Sequence, residues 1–91
     1  MTILDEKIDT RVKDVFFELD AITVALADGR KISAPLAWFP RLLNATPLQR
    51  QNWTLAAGGH GIHWPAIDED LSIEGLLRGA RAPAPKPRGS A

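Results

Sequence analysis

The sequence predicts an α+β fold, a small antiparallel sheet of four to five strands packed with two to three short helices. Three observations predict it. Alternating, β-branched runs fill the first third of the chain. Two short helical patterns follow, Ala37–Asn44 and Pro47–Asn52. A glycine-rich bend, Gly58–Gly61, then separates two further extended runs from a last capped helix.

The elements follow in order. Residues 1–10 read as a flexible polar arm, and 11–79 as the single domain. Arg11–Glu18 is partly alternating, and Asp20–Ala27 places Ile22, Val24 and Leu26 on one face, so both suit strands. Asp28-Gly29 between extended runs predicts a type I′ hairpin turn, with Arg30–Ala34 as the return strand. Pro35 lacks a ladder donor and stops it. Ala37–Asn44 reads as a short helix with Trp38 and Leu42 toward the sheet, and Pro40 is tolerable only in its first turn. Thr46-Pro47-Leu48-Gln49 is a capping-box pattern, which starts a second helix over Pro47–Asn52. Trp53–Ala57 and Ile62–Trp64 are the fourth and fifth strands. Ser72 caps a last helix, Ile73–Arg78, and Gly79 terminates it. Residues 80–91, ARAPAPKPRGSA, are basic and Pro/Ala-rich and read as a disordered tail.

Composition sets the limits. The 91 residues allow one small domain. There is no cysteine, which removes disulfides, thiolate metal sites and a cysteine nucleophile. Residues 1–10 do not form a secretory leader and no segment is long enough to span a membrane, so a cytoplasmic protein without membrane contact is expected. The formal net charge is zero but unevenly spread: no acid falls between Gly29 and Ile67, a span that carries Arg30, Lys31, Arg41, Arg50, His60 and His63. Such a face suits a polyanion or an acidic partner, or simply solvates the fold.

The most chemically loaded stretch is Gly58–Gly79, GGHGIHWPAIDEDLSIEGLLRG. His60, His63, Asp68 and Asp70 have the donor types of a zinc or manganese site. Histidines three apart on a strand point to opposite faces, however, so no metal and no cofactor is expected. Asp68-Glu69-Asp70 has the residue types of a general acid–base pair, but three acids before a helix more simply complement its positive N-terminus. Gly58–Gly61 matches no phosphate-binding fingerprint and reads as a turn. None of Ser33, Ser72 and Ser90 lies in a nucleophile-elbow pattern, so no catalytic residue is assigned.

DGR at Asp28–Arg30, PLAWFPRLLNAT at Pro35–Thr46, Trp53, GIHWPAIDEDLS at Gly61–Ser72 and Leu76-Leu77 together resemble the bacterial domain-of-unknown-function family 2442. The resemblance implies a small α+β domain with an antiparallel sheet. Some relatives carry a helix-turn-helix domain after it, and others look like one half of a two-gene pair, which implies a regulatory or antitoxin-like role. Residues 80–91 leave no room for such a helix-turn-helix domain, so DNA recognition by an appendage is not expected. The resemblance supplies no catalytic residues.

The expected function is therefore non-enzymatic: a protein-interaction module, regulatory or antitoxin-like, that binds a small partner protein, with a homo-oligomer as a further possibility. Its contact surface is expected at Trp38, Arg41, Arg50, His63 and Trp64, or along an unpaired sheet edge. The alternatives are a nucleic-acid-binding protein using Arg30, Lys31, Arg41, Arg50 and the tail, and a metal-dependent hydrolase using His60, His63, Asp68 and Asp70.

Overall fold

Ile22, Val24 and Leu26 alternate along one strand and all lie at or near zero exposure, so one face of the first sheet is the floor of the core. The structure, a computed structural model, describes residues 8–81. The expected arm up to residue 7 and the tail from residue 82 lie outside the described residues, as does Ser90. Three strands, β1 (Val12–Phe17), β2 (Ala21–Leu26) and β3 (Lys31–Pro35), form an antiparallel meander in that order. A bulge between Val12 and Asp14 in β1 lets Val12 and Val15 both face inward despite their odd spacing.

The hairpin at Asp28-Gly29 forms, but with a different turn from the one expected. Only Gly29 takes positive φ (98°), while type I′ needs two such residues. The Leu26 carbonyl accepts from the Gly29 N–H at 3.0 Å, and the Leu26 N–H donates to the Arg30 carbonyl at 2.8 Å. This is a three-residue loop closed by a glycine bulge, and it leaves the Asp28 carboxylate pointing back into the structure. There it accepts from the Asp9 N–H (3.1 Å), the Arg30 N–H (3.0 Å) and the Arg30 guanidinium Nε (3.0 Å). Asp9, which sequence reasoning placed in the polar arm, is thus fastened to the turn.

The chain then makes a 3₁₀ turn at Leu36–Trp38 and breaks at Phe39 before α1 (Pro40–Leu43) begins. The expected single helix is divided because proline can occupy only its first position. The restart turns Phe39 and Leu42 into the core, leaves Trp38 half-buried and exposes Leu43. Next comes α2 (Pro47–Gln51), with the expected capping box complete: the Gln49 N–H donates to Thr46 Oγ1 at 3.1 Å, and the Thr46 N–H donates to Gln49 Oε1 at 2.9 Å.

The main correction is in the sheet. Beyond α2 the strands do not extend the first meander. They build a second antiparallel sheet from β4 (Thr54–Ala56), β5 (Gly61–Trp64) and β6 (Glu69–Ser72), in that order. The fold is α+β with two three-stranded sheets, not one sheet of four to five strands. The strand that sequence reasoning missed is β6. Glu69, Asp70 and Ser72 are poor strand formers, but register pairs Ile62 with Leu71 and Trp64 with Glu69, so Leu71 and Glu69 share the inner face. The three acids therefore do not line a helix N-terminus. That place belongs to Ser72, whose Oγ accepts from the Gly75 N–H at 2.9 Å to start α3 (Ile73–Arg78). A side chain at position 75 would meet that hydroxyl at 2.8 Å, so glycine there is a condition of the cap.

One core joins both sheets and the helices: Val15, Ile22, Val24 and Leu26 from the first sheet, Ile62, Trp64 and Leu71 from the second, and Leu36, Phe39, Leu42, Ile73 and Leu76 between them. Among the described residues, no helix is long and apolar enough to cross a membrane. α2 buries no residue fully, so its cap carries an unusual share of its stability. Thr46→Ala should cost about 1 kcal/mol in denaturant unfolding, and amide exchange should accelerate first over Pro47–Gln51.

Candidate functional site

The residues expected to form one contact surface are dispersed by the fold. Trp64 is the clearest correction. It is wholly buried, because β5 turns Ile62 and Trp64 inward while its neighbour His63 faces out. Its ring meets Phe17 edge-on with centroids 6.3 Å apart, and its indole N–H donates to the Arg50 carbonyl at 2.9 Å. Trp64 is a core anchor and cannot touch a partner.

Arg50 is turned to internal use as well. Its Nε donates to the Leu42 carbonyl and its Nη2 to the Leu43 carbonyl, both at 3.0 Å, which closes the C-terminal end of α1. The same guanidinium lies 5.4 Å from the Phe17 ring centroid. Arg30 is paired with Asp28 at 2.9 Å. Arg41 is exposed and donates to the Asp68 carbonyl at 2.6 Å; Asp68 itself has a left-handed backbone, φ 54°. Lys31 is exposed on β3. Trp38 is half-buried and carries the Arg81 guanidinium 4.8 Å above its ring. These residues therefore occupy several places on the molecule, and three of the expected cations, Arg30, Arg41 and Arg50, are held by the fold itself.

The histidines and acids also separate. His63 Nδ1 lies 2.7 Å from Asp70 Oδ1 on the outer face of the second sheet, with Thr54 beside them through the β4–β5 register. This Thr54–His63–Asp70 row was invisible in sequence, because only strand register creates it. Its members lie on an open face of the second sheet, with Thr54 and Asp70 exposed and His63 partly exposed. His60 sits exposed in the turn before β5. Among the described residues, no three His, Asp or Glu side chains gather as they would around a cation. Glu69 and Asp70 point to opposite faces of β6 and do not form an acid–base pair.

Two of the concave features among the described residues bear on function, and sequence reasoning identified neither. The first is a groove of about 580 Å³ lined by Asp14, Val15, Phe16 and Phe17 of β1 and by Pro47, Arg50, Gln51 and Trp53. Among the described residues, β1 has a strand partner on one side only. The Glu18 N–H bonds the Ala21 carbonyl, and the Arg11 carbonyl takes the Ala27 N–H. In an antiparallel ladder this parity directs the backbone groups of Asp14 and Phe16 toward β2 and those of Val15 and Phe17 away from it, into the groove. The Val15 N–H is occupied by the Asp14 carboxylate at 2.8 Å. The exposed Phe16 ring borders the groove, and Leu48 stands exposed on α2.

This arrangement belongs to a recognised sequence family. The model of the family described as "Protein of unknown function (DUF2442)" matches residues 12–82. The chain belongs to the DUF2442 family. No curated protein matches it. Two solved structures are similar to this DUF2442 domain. One is a crystal structure of a protein of unknown function from Rhodospirillum rubrum, with TM-score 0.69 and 24% identity, covering 84% of this chain and 94% of that one. The other is the solution structure of an uncharacterized protein from Chromobacterium violaceum, with TM-score 0.68 and 26% identity, covering 81% and 70%.

The second concave feature of the DUF2442 domain is a smaller cavity between β6, α3 and Phe39, with Glu69 in its wall. Glu69 is 6% exposed. Burial raises its pKa above the ordinary value of 4.5, against the pull of the Arg41 charge. The other shifted acids lie near the hairpin turn. Asp9 is lowered to about 2 by its hydrogen bonds from Arg11, and Asp28 is lowered by those from Arg30.

The sign of the Glu69 effect is set by linkage. A carboxyl whose native pKa exceeds its unfolded value favours folding fully below the unfolded value, and this contribution is lost as pH rises through the native one. Glu69→Gln should therefore be more stable than the parent at neutral pH. The gain should shrink as pH falls toward 4.5, as checked by denaturant midpoints across pH.

Proposed function

We propose that this domain is a non-enzymatic protein-interaction module that takes an extended segment of a partner protein along the free edge of β1. One observation carries the reading: the unpaired backbone of β1 opens into an aromatic-walled groove instead of being covered. Natural sheet edges of this kind are usually blunted, because a row of unsatisfied N–H and C=O groups templates further pairing. Here the blunting is concentrated at the start of the strand, in the Val12–Asp14 bulge, the Lys13 charge and the Asp14 carboxylate on the Val15 N–H. The Val15 carbonyl and both Phe17 backbone groups are placed for an added strand, while Phe16, Phe17 and Trp53 offer apolar surface to its side chains.

The groove gives the module a mechanism. Main-chain pairing supplies affinity without sequence selectivity, and pockets for alternate side chains supply selectivity. Arg50 and Asp14 put one charge of each sign on the walls, which favours a mixed peptide over a uniform polyanion. A regulatory or antitoxin-like role would use this binding mode by holding a partner's strand away from its own fold or target.

With the native partner bound, the Phe17 amide should gain protection from hydrogen exchange, and Phe16→Lys should weaken the complex at least about tenfold, which corresponds to roughly 1.4 kcal/mol. Protection that appears only on β3 or on the outer face of the second sheet would refute the assignment to β1. So would a steep, salt-dependent association with nucleic acid in place of the protein.

A further inference from the structure

The cavity around Glu69 carries a separate inference. It encloses about 190 Å³ and shares no lining residue with the β1 groove. Glu69 faces it from the inner side of β6. Among the described residues its carboxylate has no ion pair within 4.0 Å and takes only the backbone N–H of its neighbour Asp70, although the residue is more than nine-tenths buried. Burying a charge in this way is costly unless something pairs with it.

The arginines in the neighbourhood do not serve. The Arg41 guanidinium donates to the Asp68 carbonyl. Arg78 pairs with Glu74 at 3.3 Å, one turn back along α3. Arg81 is drawn over the Trp38 ring. Each cation has another partner, and the buried Glu69 faces a cavity whose other walls include the apolar side chains of Phe39, Leu71 and Leu76 together with Arg78 and Arg81.

We propose that this cavity is a binding subsite for a cationic N–H donor carried on an apolar stem: the guanidinium or ammonium head of an arginine or lysine side chain, or a free alkylguanidine or alkylamine of the same shape. Glu69 accepts charge-assisted hydrogen bonds from the head. Phe39, Leu71 and Leu76 pack the stem, as apolar surface does for long basic side chains elsewhere. Asp70 also borders the cavity, but its carboxylate is turned to the outer face, where it meets His63 at 2.7 Å. The raised pKa of Glu69 fits a carboxyl that lacks its counter-charge until the ligand arrives.

The charged groups around Glu69 set the pH response. Arg41 faces it from α1, Asp68 precedes it in the turn before β6, Asp70 follows it on β6, and Arg78 and Arg81 line the cavity from α3 and beyond. Binding should strengthen as Glu69 ionises with rising pH.

The test is a titration of ¹⁵N-labelled protein with two probes, N-acetylarginine amide as a peptide side chain and n-butylguanidine as a free small cation. N-acetylcitrulline amide is the uncharged control. The expected result is saturable shifts at the amides of Glu69, Leu71, Gly75 and Leu76 with the cationic probes, and none with citrulline. Glu69→Gln should weaken binding at least about tenfold, in line with a hydrogen bond to a charged group, while Asp70→Asn should weaken it less. Tighter binding of the peptide arginine assigns the subsite to a partner's side chain, and tighter binding of butylguanidine assigns it to a free cation; either supports the proposal. Equal binding of citrulline, insensitivity to Glu69→Gln, the absence of saturable shifts, or a pH-independent affinity in the parent protein would each overturn it.

Discussion

The fold depends on one hydrogen bond and the arginine behind it. The buried Trp64 indole donates to the Arg50 carbonyl, and the Arg50 guanidinium reaches the last carbonyls of α1 while lying over Phe17. Four elements meet there: β5 through Trp64, α2 through the Arg50 backbone, α1 through Leu42 and Leu43, and β1 through Phe17. A wholly buried indole N–H without a partner would cost roughly 1–3 kcal/mol. That penalty gives the position of α2 its specificity, although α2 contributes no fully buried side chain of its own. The helix is held by polar bonds at defined points, not by a broad apolar face.

This mode of attachment explains the open edge. Because α2 is tethered through Arg50 to the far side of the core, it stands beside β1 without covering it. β4, the nearest strand of the second sheet, begins just after Trp53 and does not pair with β1. The result is a groove between β1 and α2, walled by Phe16, Phe17, Trp53 and Arg50. The structural job of Arg50 and its place in the groove wall are the same fact seen from two sides, so substitutions at Arg50 would confound stability with binding.

Local signals were legible in the sequence, and non-local ones were not. The Thr46–Gln49 capping box, the Ser72 cap, the Gly79 terminator and the first meander all appeared where short-range pattern placed them, since each is decided within a few residues. The details that failed were set by distant partners. Asp28-Gly29 chose a three-residue loop because the Asp28 carboxylate is also needed by Asp9 and Arg30. β6 was hidden because its strand character comes from pairing with β5, not from Glu, Asp or Ser. For the candidate sites the gap was wider. Trp64 and Arg50 looked like interface residues by type, since tryptophan and arginine serve cores and interfaces alike, and only burial distinguishes the two uses. The β1 edge was anticipated as a kind of surface but not located, and Glu69 gave no sign of facing inward, because acids in a row read as solvated.

The measurement that most directly tests this account is a double-mutant cycle on denaturant unfolding with Trp64→Phe and Arg50→Gln. If the indole bond and the guanidinium contacts act as one tether, the two losses will fall short of additivity by more than about 0.5 kcal/mol, since removing either loosens what the other holds. Losses that add within about 0.3 kcal/mol would show two independent contacts and contradict the claim that α2, and with it the groove, is held at a single point.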